Sequence, residues 1–322
     1  MPTGEWINKT HIGDCRDLLR LMNADGLKVQ TCITSPPYFG LRDYGVDGQL
    51  GLESTPEKYV LNMVEVFRCV WDVLANDGTL WLNIGDSYAS YKDGKATPDT
   101  TRGTTTGTLV PKGLARNRMA STFHNTRIKH KDLIGIPWML AFALRNDGWY
   151  LRQDIIWSKP NPMPESVQDR CTKSHEYVFL LSKSEKYLFD NASIKEPVAS
   201  SSIKRLTQPN LLNQTGSTRV LKKTNGNMKA VGNGENRNKR SVWNVATKSY
   251  KGAHFAVYPS ELIEPCILAG SKAGDIVLDP FMGSGTTAEV STFLGRNFVG
   301  CELNPEYKKL HDIRKTTIGL TF

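Results

Sequence analysis

The chain has 322 residues, 39% of them hydrophobic and 23% charged, with a net charge of +9. That length buries a substantial core and suffices for one elaborated catalytic domain with a smaller recognition region, while no apolar run reaches the ~18 residues that a membrane-spanning helix needs. Met1-Pro2-Thr3-Gly4-Glu5-Trp6 lacks the basic start, apolar centre and small-residue cleavage site of a secretory signal, so a cytoplasmic location without membrane attachment is expected.

In chain order, Val29 to Thr34 reads as a buried strand ending in Ser35-Pro36-Pro37-Tyr38. Residues 57–75 place Val60, Leu61, Val64, Phe67, Val70, Trp71 and Leu74 at helical spacing. The turn signal Asn76-Asp77-Gly78 then leads into a second strand, Thr79 to Ile84, closed by Gly85-Asp86. Residues 133–146 look helical, and Trp149 to Ser158 and Tyr177 to Leu181 look like further strands. A helix around 260–269 precedes a strand at Asp275 to Asp279, and Asn297 to Glu302 forms the next. Short apolar runs alternating with helical patterns predict an α/β fold with a parallel-sheet core covered by helices.

Two stretches break that alternation. Residues 91–131 hold nine Lys or Arg against Asp93 and Asp99, and residues 200–251 hold eleven against Glu235 alone. They carry +7 and +10 of a total of +9, so the rest of the chain is net acidic. Both are poor in apolar residues and rich in Gly, Thr, Ser and Asn, the composition of loops or mobile insertions. Beside a catalytic core, such basic arms fit contacts to the phosphates of double-stranded DNA, with Lys222, Lys223, Arg237, Lys239 and Arg240 the expected ligands. The six cysteines show neither a Cys-x-x-Cys pair nor a histidine at ligand spacing, so they read as buried thiols and no metal is implied.

Val277-Leu278-Asp279-Pro280-Phe281-Met282-Gly283-Ser284-Gly285-Thr286-Thr287 is an apolar strand, a glycine-rich turn and a helix start. Glycine lets the backbone approach a ligand, and the helix N-terminus offers unpaired N–H groups. The next strand ends at Glu302, close to the ~20-residue interval at which a carboxylate reaches ribose hydroxyls. A bound adenosine is therefore expected, with NAD and S-adenosylmethionine not separated by this element. Thr34-Ser35-Pro36-Pro37-Tyr38 separates them. Proline fixes the backbone so that carbonyls project outward, the serine hydroxyl is a further acceptor, and the aromatic ring is a stacking surface. Two acceptors can hold an exocyclic amine and localise its lone pair while the ring stacks on a base rotated out of the duplex.

With these motifs in this order, the sequence resembles the β-class of DNA amino methyltransferases. The resemblance implies a circularly permuted Rossmann-like fold in which Ser35, Pro36, Pro37 and Tyr38 are catalytic and precede the cofactor motif. It also covers His11-Ile12-Gly13-Asp14-Cys15, similar to the family's adenine-contacting segment, and Phe255 to Leu262, similar to the helix start that closes over the methionine end. By that resemblance S-adenosylmethionine is held by Asp14, Cys15, Pro259, Asp279, Phe281, Gly283, Ser284, Gly285, Thr286 and Glu302. Asp154 to Asn161 is similar to the segment shaping the target-base pocket, which assigns Trp157 and Lys159 there.

The implied organisation is one catalytic domain in two parts, 1–161 and 253–322, around a recognition region at 162–252. Serine at position 35 favours cytosine N4 over adenine N6, because in the resembling family Asp accompanies adenine enzymes. A homodimer and a separately acting restriction endonuclease fit the same family. Rival readings are a methyltransferase of RNA or protein amides, a DNA-binding protein with a vestigial cofactor site, and an NAD-dependent oxidoreductase. Pro265-Cys266 superficially matches the nucleophile of cytosine C5 enzymes, but it falls in an apolar helical run and reads as core. Ser174-His175-Glu176 reads as the polar edge of a strand.

Overall fold

A computed structural model describes residues 3–89, 128–199, 201, 203, 204, 236–248 and 258–307. Most of both basic stretches, including Lys222 and Lys223, and residues 255–257 of the expected cofactor-closing segment lie outside the described residues.

The strands are β1 (Lys9–Ile12), β2 (Val29–Thr34), β3 (Leu74–Ile84), β4 (Tyr150–Ser158), β5 (His175–Ser182), β6 (Glu196–Pro197), β7 (Asn236–Arg237), β8 (Val242–Asn244), β9 (Ile276–Asp279) and β10 (Asn297–Glu302). The helices are α1 (Cys15–Ala24), α2 (Pro56–Val73), α3 (Ile136–Asn146), α4 (Ser260–Gly270) and α5 (Thr286–Phe293). Several boundaries have a clear local cause. Asp14 caps α1 by accepting from the Arg16 amide, and Thr55 caps α2 by accepting from the Lys58 amide, with Pro56 in the first turn where no N–H is required.

Eight strands form one sheet in the order β1-β10-β9-β2-β3-β5-β4-β8, and β6 pairs with β7 in a small ribbon. β5 runs against both of its neighbours, β3 and β4, whereas every other pairing in the large sheet is parallel. The expected parallel core therefore contains one reversed strand. Apolar runs specify that a strand is buried on both faces, not which way it points. The Asn76-Asp77-Gly78 turn is also revised: these residues lie inside β3, and the register steps from Val29 opposite Leu74 to Thr31 opposite Thr79. The surplus residues of β3 are absorbed as a bulge rather than a chain reversal.

Helices cover both faces. Leu19, Met22, Met63, Phe67, Val70, Leu140 and Leu144 from α1, α2 and α3 pack with Leu278 and Val299 on one side. Leu262, Ile263, Cys266, Ile267 and Val290 from α4 and α5 pack with Ile33, Trp81 and Val277 on the other. Cys266 is 1% exposed and burial pushes its thiol pKa up, so it is the core residue its sequence context suggested. β5 and β8 fall within 162–252 yet are strands of the main sheet, so that span is not separate from the sheet of the catalytic parts.

From β9 the chain passes through α5 to β10 on one side, and from β2 through α2 to β3 on the other. Because β9 and β2 are neighbours, their C-terminal loops diverge at a topological switch point, where open α/β sheets leave a crevice for ligands.

Candidate active site

The crevice is a cavity of about 990 Å³, within the range of small-molecule and cofactor sites. Ser35, Pro36, Pro37 and Tyr38 enter its wall from the end of β2, Phe281, Gly283 and Ser284 from the loop after β9, and Thr286 from the start of α5. Asp14 and Cys15 reach it from the end of β1, Trp157 and Lys159 from the end of β4, and Glu302 from the end of β10. Residues spread across the sequence thus share one pocket because their strands end at one edge of the sheet. Pro259, Asp279 and Gly285, also expected at the cofactor, are not among the lining residues. Pro259 occupies the N-cap position of α4, and Gly285 that of α5.

Asp279 holds the two principal loops together. It is 1% exposed and accepts hydrogen bonds from Thr34 Oγ1 (2.7 Å), Thr287 Oγ1 (2.6 Å), Tyr258 Oη (2.9 Å) and the Phe281 amide (3.0 Å). Burial raises its pKa while these donors oppose the shift. The bond to Thr34 spans 245 positions of sequence and fixes the Pro-Pro turn against the glycine loop. A second tether comes from α2, where the Tyr59 hydroxyl donates to the Pro37 carbonyl (2.9 Å).

In the loop after β9, Gly283 and Gly285 have φ of +53° and +86°, a region that disfavours any side chain. Glu302 is 9% exposed, and its two oxygens accept from the amides of Gly283 and Asn304, each at 2.8 Å. A carboxylate has about four acceptor sites, so capacity remains beside these amides. Burial pushes its pKa up to about 7, with the two amides acting in the opposite direction. The Asp14 carboxylate is already engaged by the Arg16 guanidinium, through Nη2 at 2.6 Å and Nε at 3.0 Å, and those bonds lower its pKa. The Cys15 thiol is buried, with its pKa raised to about 12, so it offers packing rather than a nucleophile.

The Ser35–Tyr38 turn faces a network that sequence reasoning missed. Tyr38 Oη donates to Glu176 Oε2 (2.7 Å), Ser35 Oγ donates to Tyr38 Oη (3.4 Å), and Asn83 Nδ2 donates to the same Glu176 oxygen (3.3 Å). Glu176 Oε1 pairs with Lys159, whose ammonium also lies 4.3 Å from the centroid of the Trp157 ring. Glu176 is thus a wall of the site, not merely the polar start of a strand. The β4–β5 register, with Trp157 opposite Glu176, is what brings it to Lys159. A charged pair flanking the segment 160–175 was the available signal, and it becomes legible only once those two strands are known to form an antiparallel pair. Burial, followed by the charge of Glu176, raises the pKa of Tyr38 and keeps it a neutral donor. Gly85 makes room for its ring: a Cβ there would stand 2.8 Å from Tyr38 Cε2.

Arg237, Lys239 and Arg240, expected at phosphates, surround Glu196 at 3.5, 3.7 and 3.5 Å and do not line the cavity. That cluster keeps a surplus of positive charge after the single carboxylate is counted.

Over residues 29–312 the chain matches the model of a family of N6 and N4 methyltransferases described as DNA methylase. It is 46% identical over 295 residues to the Type II methyltransferase M.Cfr9I of Citrobacter freundii, covering 92% of this chain and 83% of that protein. It is 45% identical to M.SmaI of Serratia marcescens, covering 94% and 88%. Among solved structures, the PvuII DNA methyltransferase, described as cytosine-N4-specific, aligns with a TM-score of 0.59 at 17% identity, covering 95% of this chain and 85% of that one. TTHA0409 of Thermus thermophilus, solved with S-adenosyl-L-methionine, aligns with a TM-score of 0.55 at 21% identity, covering 96% and 93%.

Proposed function

This chain belongs to the N6/N4 DNA methylase family, and we propose that within it the chain methylates the N4 amino group of cytosine at a short site in duplex DNA. S-adenosylmethionine is the methyl donor, its sulfonium supplying an electrophilic methyl group. The observation that carries the reading is the Thr34–Asp279 bond, which locks an amine-holding turn beside a glycine loop fit for a nucleoside.

The side chains divide the work between two ends of the cavity. At one end, Gly283 lets the backbone approach the donor, and Glu302 would accept from its ribose hydroxyls. Asp14, with acceptor capacity left beside Arg16, takes the adenine amino group. At the other end, the Ser35 hydroxyl and the Pro36 carbonyl accept the two N–H groups of the target amine and turn its lone pair toward the methyl group. Tyr38 stacks on the base, and Trp157 and Lys159 bound its pocket. Attack of the amine nitrogen on the methyl carbon would break the S–CH3 bond, release S-adenosylhomocysteine as the leaving group and shed one amine proton to solvent, so the buried cysteines need no role. Preference for cytosine N4 rests on Ser35, since in the family this sequence resembles serine at this position accompanies cytosine N4 enzymes and Asp accompanies adenine N6 enzymes.

Lys222 and Lys223 contact phosphates, joined by the cluster of Arg237, Lys239 and Arg240. The enzyme works on duplex DNA in the cytoplasm and protects sites from a separately acting restriction endonuclease. Sequencing DNA exposed to the protein at single-base resolution, with mass spectrometry of its nucleosides, tests the reading. N4-methyldeoxycytidine at one sequence is expected. N6-methyldeoxyadenosine alone would overturn the cytosine assignment, and unmodified DNA would overturn the activity.

A further inference from the structure

Met163 stands on the rim of the cavity with 86% of its surface exposed. Met163 lines the same cavity as the Ser35–Tyr38 turn, so it is placed to meet a substrate that enters there. Its loop is braced. The Lys159 amide donates to the Ser174 carbonyl (2.8 Å), closing the loop at its base. The Asn161 side chain donates to the Thr247 carbonyl (3.1 Å) and accepts from the Thr247 amide (2.9 Å). Further along, Glu165 accepts from Arg170 Nη1 (2.7 Å) and from the Lys173 amide (3.1 Å). Pro162 and Pro164 fix φ on either side of Met163, so the side chain is presented on a stiff support. Leu41, another exposed apolar residue on the rim, is 52% exposed, and its amide is bonded back to the Tyr38 carbonyl (3.3 Å).

We propose that Met163 is a wedge that enters the base stack of duplex DNA and fills the gap left when the target base rotates into the cavity. The inference rests on the DNA methyltransferase reading. Its partner is a pair of stacked base faces, which an unbranched, polarizable thioether suits. Methionine is among the apolar side chains that separate base steps in this way. The position agrees: the loop follows β4 directly after Trp157 and Lys159, the wall assigned to the rotated base, and Lys173 at the far end of the loop lines the same cavity.

The test uses a duplex carrying the methylation site mapped by sequencing and compares it with the same duplex in which the target base is mispaired. Mispairing removes part of the cost of extruding the base. In single-turnover methylation, Met163→Ala is expected to be about tenfold slower than wild type on the paired duplex and to match wild type on the mispaired one. Met163→Leu keeps wild-type rates on both. Equal slowing on both duplexes, or no slowing on the paired one, overturns the wedge. Calorimetry of S-adenosylmethionine binding to Met163→Ala, expected to be unchanged, shows that the variant is folded. Failure of the wild-type protein on both duplexes overturns the underlying activity instead.

Discussion

Glu302 should impose opposite pH trends on the free protein and on cofactor binding. In the free protein its pKa is raised from 4.5 to about 7 by burial. The fold therefore favours the protonated form, and this contribution to stability is full below pH 4.5 and is lost as pH rises toward 7. The interval corresponds to about 3 kcal/mol. Ribose hydroxyls donating to the carboxylate favour the ionised form, so binding must expel the proton whenever it is present. Above about pH 8 the affinity for S-adenosylmethionine is flat, and below about pH 7 the Kd rises by roughly tenfold per pH unit. Calorimetric titrations between about pH 5.5 and 8.5 measure this directly, with thermal melts of the free protein recording the reverse trend. Glu302→Gln removes the titration from both. A wild-type Kd that does not change with pH, or a Gln variant with the wild-type slope, would refute the assignment of Glu302 to the ribose.

Other perturbations separate the two ends of the cavity. Tyr38→Ala loses base stacking worth roughly 1–3 kcal/mol and slows turnover, with cofactor affinity retained by calorimetry. Gly85→Ala drives a methyl group into the Tyr38 ring, from which a Cβ would be only 2.8 Å, and should lower kcat far more than melting temperature. Glu176→Gln weakens the hold on Tyr38 and Lys159, and this effect should shrink in a Tyr38→Phe background, where the hydroxyl partner is already gone; additive losses in turnover would exclude action through Tyr38. Replacing Lys222 and Lys223 with alanine should flatten the log–log dependence of DNA affinity on salt by about 0.9 for each phosphate no longer neutralised, as read by filter binding.

The elements that place the site were largely legible because they are local. Strand-ending motifs at Ser35–Tyr38 and Phe281–Thr286, and the terminal Glu302, each sit where an apolar run stops, and the parallel strands bring those stops to one edge. The direction of β5 was not legible, since its apolar pattern is the same whichever way it runs. Glu176 escapes notice for that reason: its partner Lys159 lies across an antiparallel pair that no periodicity announces. Asp279 stands in a cofactor motif and so suggests a ligand, but only burial and its four donors reveal a brace behind the wall.

The order of strands in the sheet has a consequence for synthesis. β1 finds its partner in β10, and one edge of β2 finds its partner in β9, so the first strands made wait for the last. At the usual pace of translation, the 245 positions between Thr34 and Asp279 take on the order of 10–50 s to emerge. Throughout that interval the nascent chain exposes open strand edges of the kind that recruit other chains. Slower ribosomes would lengthen this exposure and chaperone capture would shield it, so the timing of the last strands bears on the yield of folded protein beside the stability of the finished sheet.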